Sequence, residues 1–266
     1  MHDGFLYSLQ SEITLYYDRK KKNGTVIFMV LSFLKKRQDD SQKRWCCKIR
    51  TFVVYSFLCL LFLPIILLLI YRLTFVHPVS TLMMRDVLTR DSYQREWVAL
   101  SDVSFAGPAG IIVSEDGNFC RHYGVDWNAL LTILRDETKP WRGGSTITMQ
   151  VVKNLFLWSH RSYVRKGLEI FYSLMADFLL SKKRIMEIYI NIAEWGPGIY
   201  GIEAAALYYY KKSARALTIQ QAAALVASLP NPYVRNPHQP TDHFLTLSRM
   251  IEQRIIFSGA YTHCLR

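Results

Sequence analysis

The chain has 266 residues, 50% of them apolar, with 33 Lys plus Arg against 21 Asp plus Glu and a formal charge of +12. So much Leu, Ile, Phe and Tyr excludes a disordered chain, and 13 Gly with 9 Pro excludes collagen-like and low-complexity classes. No internal repeat is visible, and the length suits one domain with a real core plus an appendage.

Residues 1–50 carry 11 basic and 5 acidic side chains, a net +6, which leaves +6 for the remaining 216 residues. The charge therefore gathers in front of Thr51 to Tyr71, a run of 21 uncharged residues dominated by Leu, Ile, Phe and Val. As a helix this run reaches about 31 Å, the thickness of a bilayer's hydrocarbon core, and predicts one transmembrane span over 51–71. A buried soluble helix is the weaker reading, since such helices seldom run this long without a charge, and Pro64 is tolerated in lipid. A cleaved signal peptide fits less well, with 50 residues ahead of the run and no small-x-small site behind it. Met29 is an alternative start.

Lys35, Lys36, Arg37, Lys43, Arg44, Lys48 and Arg50 precede the span, against Arg72, Arg85 and Arg90 after it. The positive-inside rule puts 1–50 in the cytoplasm and 72–266 outside, which in a bacterium with two membranes means a single-pass inner-membrane protein with a periplasmic domain. The basic face in front of the span reads as a topology signal touching anionic headgroups, and no nucleic-acid partner is expected. Cys46 and Cys47 lie at the inner face and Cys59 in the span, so only Cys120 and Cys264 could pair in an oxidising compartment. No Cys/His spacing suggests a structural metal site.

The external region reads as mainly α. Residues 72–96 form a membrane-proximal linker with a loosely amphipathic set from Leu73 to Val87. Ala106 to Val113 is an apolar run that ends at Ser114-Glu115-Asp116. Ser145 to Leu157 predicts a helix capped by Ser145, and Val164, Leu168, Phe171, Met175 and Phe178 recur at helical spacing in the next, with Leu168, Phe171 and Met175 expected as its buried stripe. Ser181 caps a further helix carrying Ile185, Ile188, Tyr189 and Ile192, which stops near Gly196-Pro197-Gly198. Thr218 to Leu229 is a short helix ended by Pro230. The domain is expected over 97–258, with a tail at 259–266.

Chemistry has to be found on that scaffold. Glu115 and Asp116 end an apolar run, where partial desolvation raises a carboxyl pKa and makes a general base or acid; the bland reading is a solvated helix end, with Phe119 and His122 as loop supports. Arg142-Gly143-Gly144-Ser145-Thr146 runs into a helix N-terminus whose free N–H groups favour an anion, though the spacing of a P-loop is missing. Lys153 lies two turns further on. Arg161, Arg165 and Glu169 are four apart and stack along one helical face with Lys166 beside them; as an exposed ion pair Arg165 and Glu169 are worth only a few tenths of a kcal/mol.

In order, the chain shows Glu115-Asp116-x-x-Phe119-x-x-His122-x-Gly124, Gly143 to Gln150, Lys153-Asn154-Leu155-Phe156, Arg165-Lys166-x-x-Glu169 and Ser181-Lys182-x-x-Ile185-x-x-x-Tyr189-x-Asn191. Together these resemble the peptidoglycan glycosyltransferases, the lysozyme-like family that polymerises lipid II, from about Trp97 to Pro237. The resemblance implies a monofunctional biosynthetic member, since no transpeptidase motifs follow. It implies Glu115 as the base on the acceptor 4-hydroxyl, Glu169 as an aid at the departing undecaprenyl diphosphate, and Ser145, Gln150, Lys153, Arg161, Arg165 and Lys166 as substrate-binding groups. The implied partners are lipid II, the growing glycan chain, the membrane and proteins of cell-wall synthesis or division. No organic cofactor is implied, and a divalent cation (Mg or Mn) is allowed at the diphosphate but not required. A lytic transglycosylase or lysozyme-like hydrolase shares one glutamate but has no need of a phosphate cradle. A noncatalytic scaffold would not turn over lipid II at all.

Overall fold

A computed structural model describes residues 45, 48–56, 58–59, 61–90, 92–135, 144–160 and 162–266. The chain divides into two units, Met1–Leu61 and Phe62–Arg266. Helix α1 (Lys48–Tyr71) is long and apolar enough to cross a membrane. In the first unit Phe52, Val53, Val54 and Tyr55 point outward, which costs nothing in lipid and would be unfavourable in water. The second unit begins within α1, and there Leu68 is fully buried.

The second unit is built from α2 (Thr81–Arg90), α3 (Ala106–Glu115), α4 (Trp127–Arg135), α5 (Ile147–Phe156), α6 (Tyr163–Leu179), α7 (Lys182–Ile192), α8 (Ile202–Tyr210), α9 (Ile219–Ser228) and α10 (Asp242–Ile256). Two packed groups carry the core: α3 with α9 and α10, and α5 with α6 and α7. Small residues let the first group close up, since a Cβ on Gly110 of α3 would lie 3.1 Å from both Ile255 of α10 and Val226 of α9. A small sheet of β1 (Gln94–Arg95), β2 (Glu194–Gly196) and β3 (Ile199–Tyr200) has the order β1-β3-β2. β1 runs parallel to β3, and β2 pairs with β3 in antiparallel fashion across a turn at Pro197-Gly198. Residues 81–95 thus add a helix and an edge strand to the folded unit.

Hydroxyl caps start the helices where free N–H groups need acceptors. Ser162, Ser181 and Thr241 each accept from the N–H three residues on, and Thr218 forms a capping box with Gln221. The helix expected from Ser145 is capped instead by Thr146, whose Oγ1 accepts from Met149 N and donates to the Gly124 carbonyl. The stripe expected to be buried on α6 is only partly covered: Leu168 and Met175 are half-buried and Phe171 is exposed, as are Val164 and Phe178 on the same helix. The ionic ribbon takes the inward side, with Arg165 and Glu169 buried beside Tyr172, Ser173 and Ala176. On α7, Ile185, Ile188, Tyr189 and Ile192 are buried as expected, and the Gly-Pro-Gly segment makes the β2–β3 turn.

Candidate active site

Glu115 ends α3, whose Ala106 to Ile112 are wholly buried, so the core fixes where this carboxyl emerges. Its Oε2 accepts from Gln150 Nε2 of α5 at 3.1 Å, and Ser114 Oγ lies 3.5 Å from its Oε1. Burial raises the Glu115 pKa above the ordinary glutamate value; the Gln150 and Ser114 hydrogen bonds and the charges of Arg235 and Lys153 oppose that rise. The amide is itself held, because Tyr189 OH of α7 donates to Gln150 Oε1 at 3.1 Å. Tyr189 is fully buried, which pushes its pKa well up and keeps it an O–H donor. The amide nitrogen is thereby turned toward the carboxylate.

Asp116 does different work. Its carboxylate takes His122 Nε2 at 2.9 Å and Ile147 N at 2.9 Å, so the first N–H of α5 that the sequence offered to a phosphate is held by the protein's own anion. This supports His122 and Phe119 as loop residues. Lys182 of α7 donates to the His122 carbonyl at 2.8 Å and sits 4.7 Å from the Phe119 ring centroid. A disulfide between Cys120 and Cys264 ties the same loop to a segment 144 residues on. Gly124 closes the loop at φ +76°, where a Cβ would fall 2.4 Å from the Ser173 carbonyl oxygen.

The cationic part of the site is built on α5 and α6. Glu169 accepts from Arg165 Nη1 and from Lys166 Nζ, both at 2.9 Å, and Lys166 also donates to Ser145 Oγ at 3.2 Å. Freed from capping, Ser145 belongs to this cluster. Lys153 is pulled down in pKa by burial first, and its charge is coupled to Glu169, Arg165, Lys166 and Glu115. Lys153, Arg165 and Lys166 against Glu169 leave a positive surplus beside a raised carboxyl. Arg165 Nε is buried with no hydrogen-bond partner. Glu115, Gln150, Lys153, Ser145, Arg165, Lys166 and Glu169 are therefore brought together, while Arg161, with Arg142 and Gly143, lies outside the described residues.

These side chains do not fit a protein-held divalent cation. Both Glu169 oxygens are taken by cations, and no group of three His, Cys, Asp or Glu is placed to hold a metal among the described residues. Two contributors had no site role assigned from the sequence, although Tyr189 lies in one of the quoted motifs. Tyr189 looked like one more apolar position of α7, and Arg235, on the loop after α9, sits in a Pro/Asn-rich stretch that resembles a plain connection.

A helical unit with a desolvated carboxylate beside a cationic wall is suited to transferring a group from an anionic leaving group. The chain belongs to the transglycosylase family, whose model matches residues 82–255. A Brucella suis biovar 1 protein called biosynthetic peptidoglycan transglycosylase is 53% identical over 206 residues, 77% of this chain and 92% of the relative. Proteins with that name from Rhizobium johnstonii and Rhizobium meliloti are 49% and 46% identical, over 80% and 84% of this chain and 88% and 98% of theirs.

Proposed function

We propose that this peptidoglycan glycosyltransferase polymerises lipid II into linear glycan strands by an inverting displacement at the donor's anomeric carbon. Glu115 takes the proton of the acceptor sugar's 4-hydroxyl as that oxygen attacks the growing chain. The bond from the anomeric carbon to the diphosphate oxygen breaks, and undecaprenyl diphosphate leaves. Lys153, Arg165 and Lys166 meet the charge that develops on the leaving group, which preorganised cations do best in a site that excludes water. Glu169 holds Arg165 and Lys166 in array, and Ser145 orients Lys166. Arg161 is a further proposed phosphate-binding group on the family resemblance of its sequence motif alone. No step needs a metal.

The observation that carries the reading is the sharing of one short helix. Gln150 and Lys153 of α5 are three apart, so the residue that orients the base and the residue that faces the cation cluster ride on the same rigid element. A hydrolase of related fold would not need the second half of that arrangement. The apolar α1 and the outward apolar residues of α6 suit a substrate whose lipid never leaves the bilayer, and the charge bias around α1 favours a cytoplasmic N-terminus and an external domain. The test is polymerisation of purified lipid II by wild type and Glu115→Gln. A general base is worth about 100- to 10,000-fold, so the variant should fold and lose activity on that scale. Strand synthesis at the wild-type rate by Glu115→Gln would remove the residue from the mechanism.

A further inference from the structure

One face of α7 holds the backbone that emerges from the apolar helix. Arg184, 6% exposed, donates from Nε to the Tyr71 carbonyl at 2.8 Å and from Nη2 to the carbonyls of Leu73 at 2.9 Å and Val76 at 2.6 Å. Its remaining nitrogen pairs with Glu187. Glu187 accepts from Leu100 N at 3.1 Å, and Asn191 both accepts from Val98 N at 2.9 Å and donates to Val98 O at 2.8 Å. Trp97 lies 4.4 Å from the His77 ring in a nearly parallel stack and 5.5 Å from the Arg184 guanidinium. Arg184, Glu187 and Asn191 recur at the spacing of one helical face.

The carbonyls at a helix C-terminus have no partner within the helix, and Tyr71 is the last residue of α1. Burying a guanidinium is unfavourable unless its donors find acceptors, and a passive tether would need no such group. The planar fork of arginine reaches these carbonyls from two separate nitrogens and keeps a third for Glu187, whereas a lysine's three donors all sit on one nitrogen. The same helix holds the catalytic machinery: Tyr189, about 7.5 Å further along the axis, fixes Gln150 against Glu115. Lys182, near its start, holds the loop that follows Glu115.

We infer that Arg184 is a positioning residue that locks the membrane-exit backbone to α7, so that the rod which orients the partner of Glu115 also sets the height and tilt of the cleft over the bilayer. This rests on the reading of a membrane-spanning α1 and a lipid-linked donor. A lipid diphosphate in a bilayer lies at a fixed depth, so a cleft held at another height meets it poorly; in a detergent micelle the amphiphile surface adapts to the protein.

The test compares full-length wild type, Arg184→Met and Arg184→Lys on lipid II, in liposomes and in detergent micelles. Misplacement by about 1 Å can cost about 100-fold, so Arg184→Met should lose about 10- to 100-fold in kcat/KM in liposomes and stay within about twofold of wild type in micelles. Arg184→Lys, which keeps the cation and loses the fork, should lie between. If Arg184→Met does not fold, Arg184→Lys carries the same comparison. Equal losses in both media, or none in either, would overturn the inference. Wild type inactive in both would instead overturn the proposed function.

Discussion

Gln150 has been assigned to substrate from its sequence motif and to Glu115 from its geometry, and Gln150→Leu separates the two. The substitution keeps the volume and removes the amide that donates to the Glu115 carboxylate at 3.1 Å. A hydrogen bond to a charged group contributes about 1.5 to 3 kcal/mol, and 3.1 Å is long for a charge-assisted bond, so the lower figure applies. Because that bond favours the ionised form, its loss adds to the upward push of burial on the Glu115 pKa. The base must be ionised to accept a proton. About 1.5 kcal/mol therefore means roughly tenfold less active enzyme at any pH on the acid limb of kcat/KM, with the plateau at higher pH retained. Tyr189 loses its acceptor and stability falls by about 1 to 3 kcal/mol, so rates belong well below the unfolding temperature. The measurement is the pH profile of lipid II polymerisation for both proteins. An acid limb that stays in place while the plateau drops would refute the tuning argument and return Gln150 to the substrate.

Glu169→Gln leaves Arg165, whose side chain is 10% exposed, without its charge partner, and should lower unfolding stability by about 3 kcal/mol in a denaturant titration; an unchanged midpoint would mean the pair is not buried in solution. Cys120→Ser should lower stability by about 2 to 5 kcal/mol, and reductant should destabilise wild type while leaving the variant unmoved. Gly124→Ala forces a side chain onto the Ser173 carbonyl at positive φ; a loss of at least about 1 to 3 kcal/mol in melting analysis is expected, and an unshifted transition would show that the loop gives way.

The sequence announced the long apolar helix α1 and the order of the chemical motifs well, because a charge-free run and fixed spacings are local properties. It misplaced detail wherever a third element decides. Ser145 and Thr146 are equally good caps on paper, and only the Gly124 carbonyl selects Thr146, which releases Ser145 to Lys166. The stripe of α6 is covered less than expected for a related reason, with Leu168 and Met175 half-buried. Periodicity shows which face avoids water but not that protein covers it, so Phe171 points outward with Val164 and Phe178 while the ribbon of charge turns in. Strands of two or three residues are too short to alternate visibly, and the β1–β3–β2 sheet left no trace in the sequence. Tyr189 lies in a quoted motif and Arg184 at one of its open positions, but what each does comes from Gln150 and from the carbonyls of 71–76, which only the fold brings near.

The bridge from Cys120 to Cys264 also has a meaning in time. A ribosome adding about 5 to 20 residues per second needs roughly 7 to 30 seconds to travel the 144 positions that separate the two thiols. Throughout that interval the segment after Glu115 has no covalent lock and carries a free thiol. Vectorial synthesis therefore delays the stapling of the loop after Glu115 until Cys264 has emerged, and an oxidase that meets Cys120 earlier can form a mixed disulfide there before its proper mate exists.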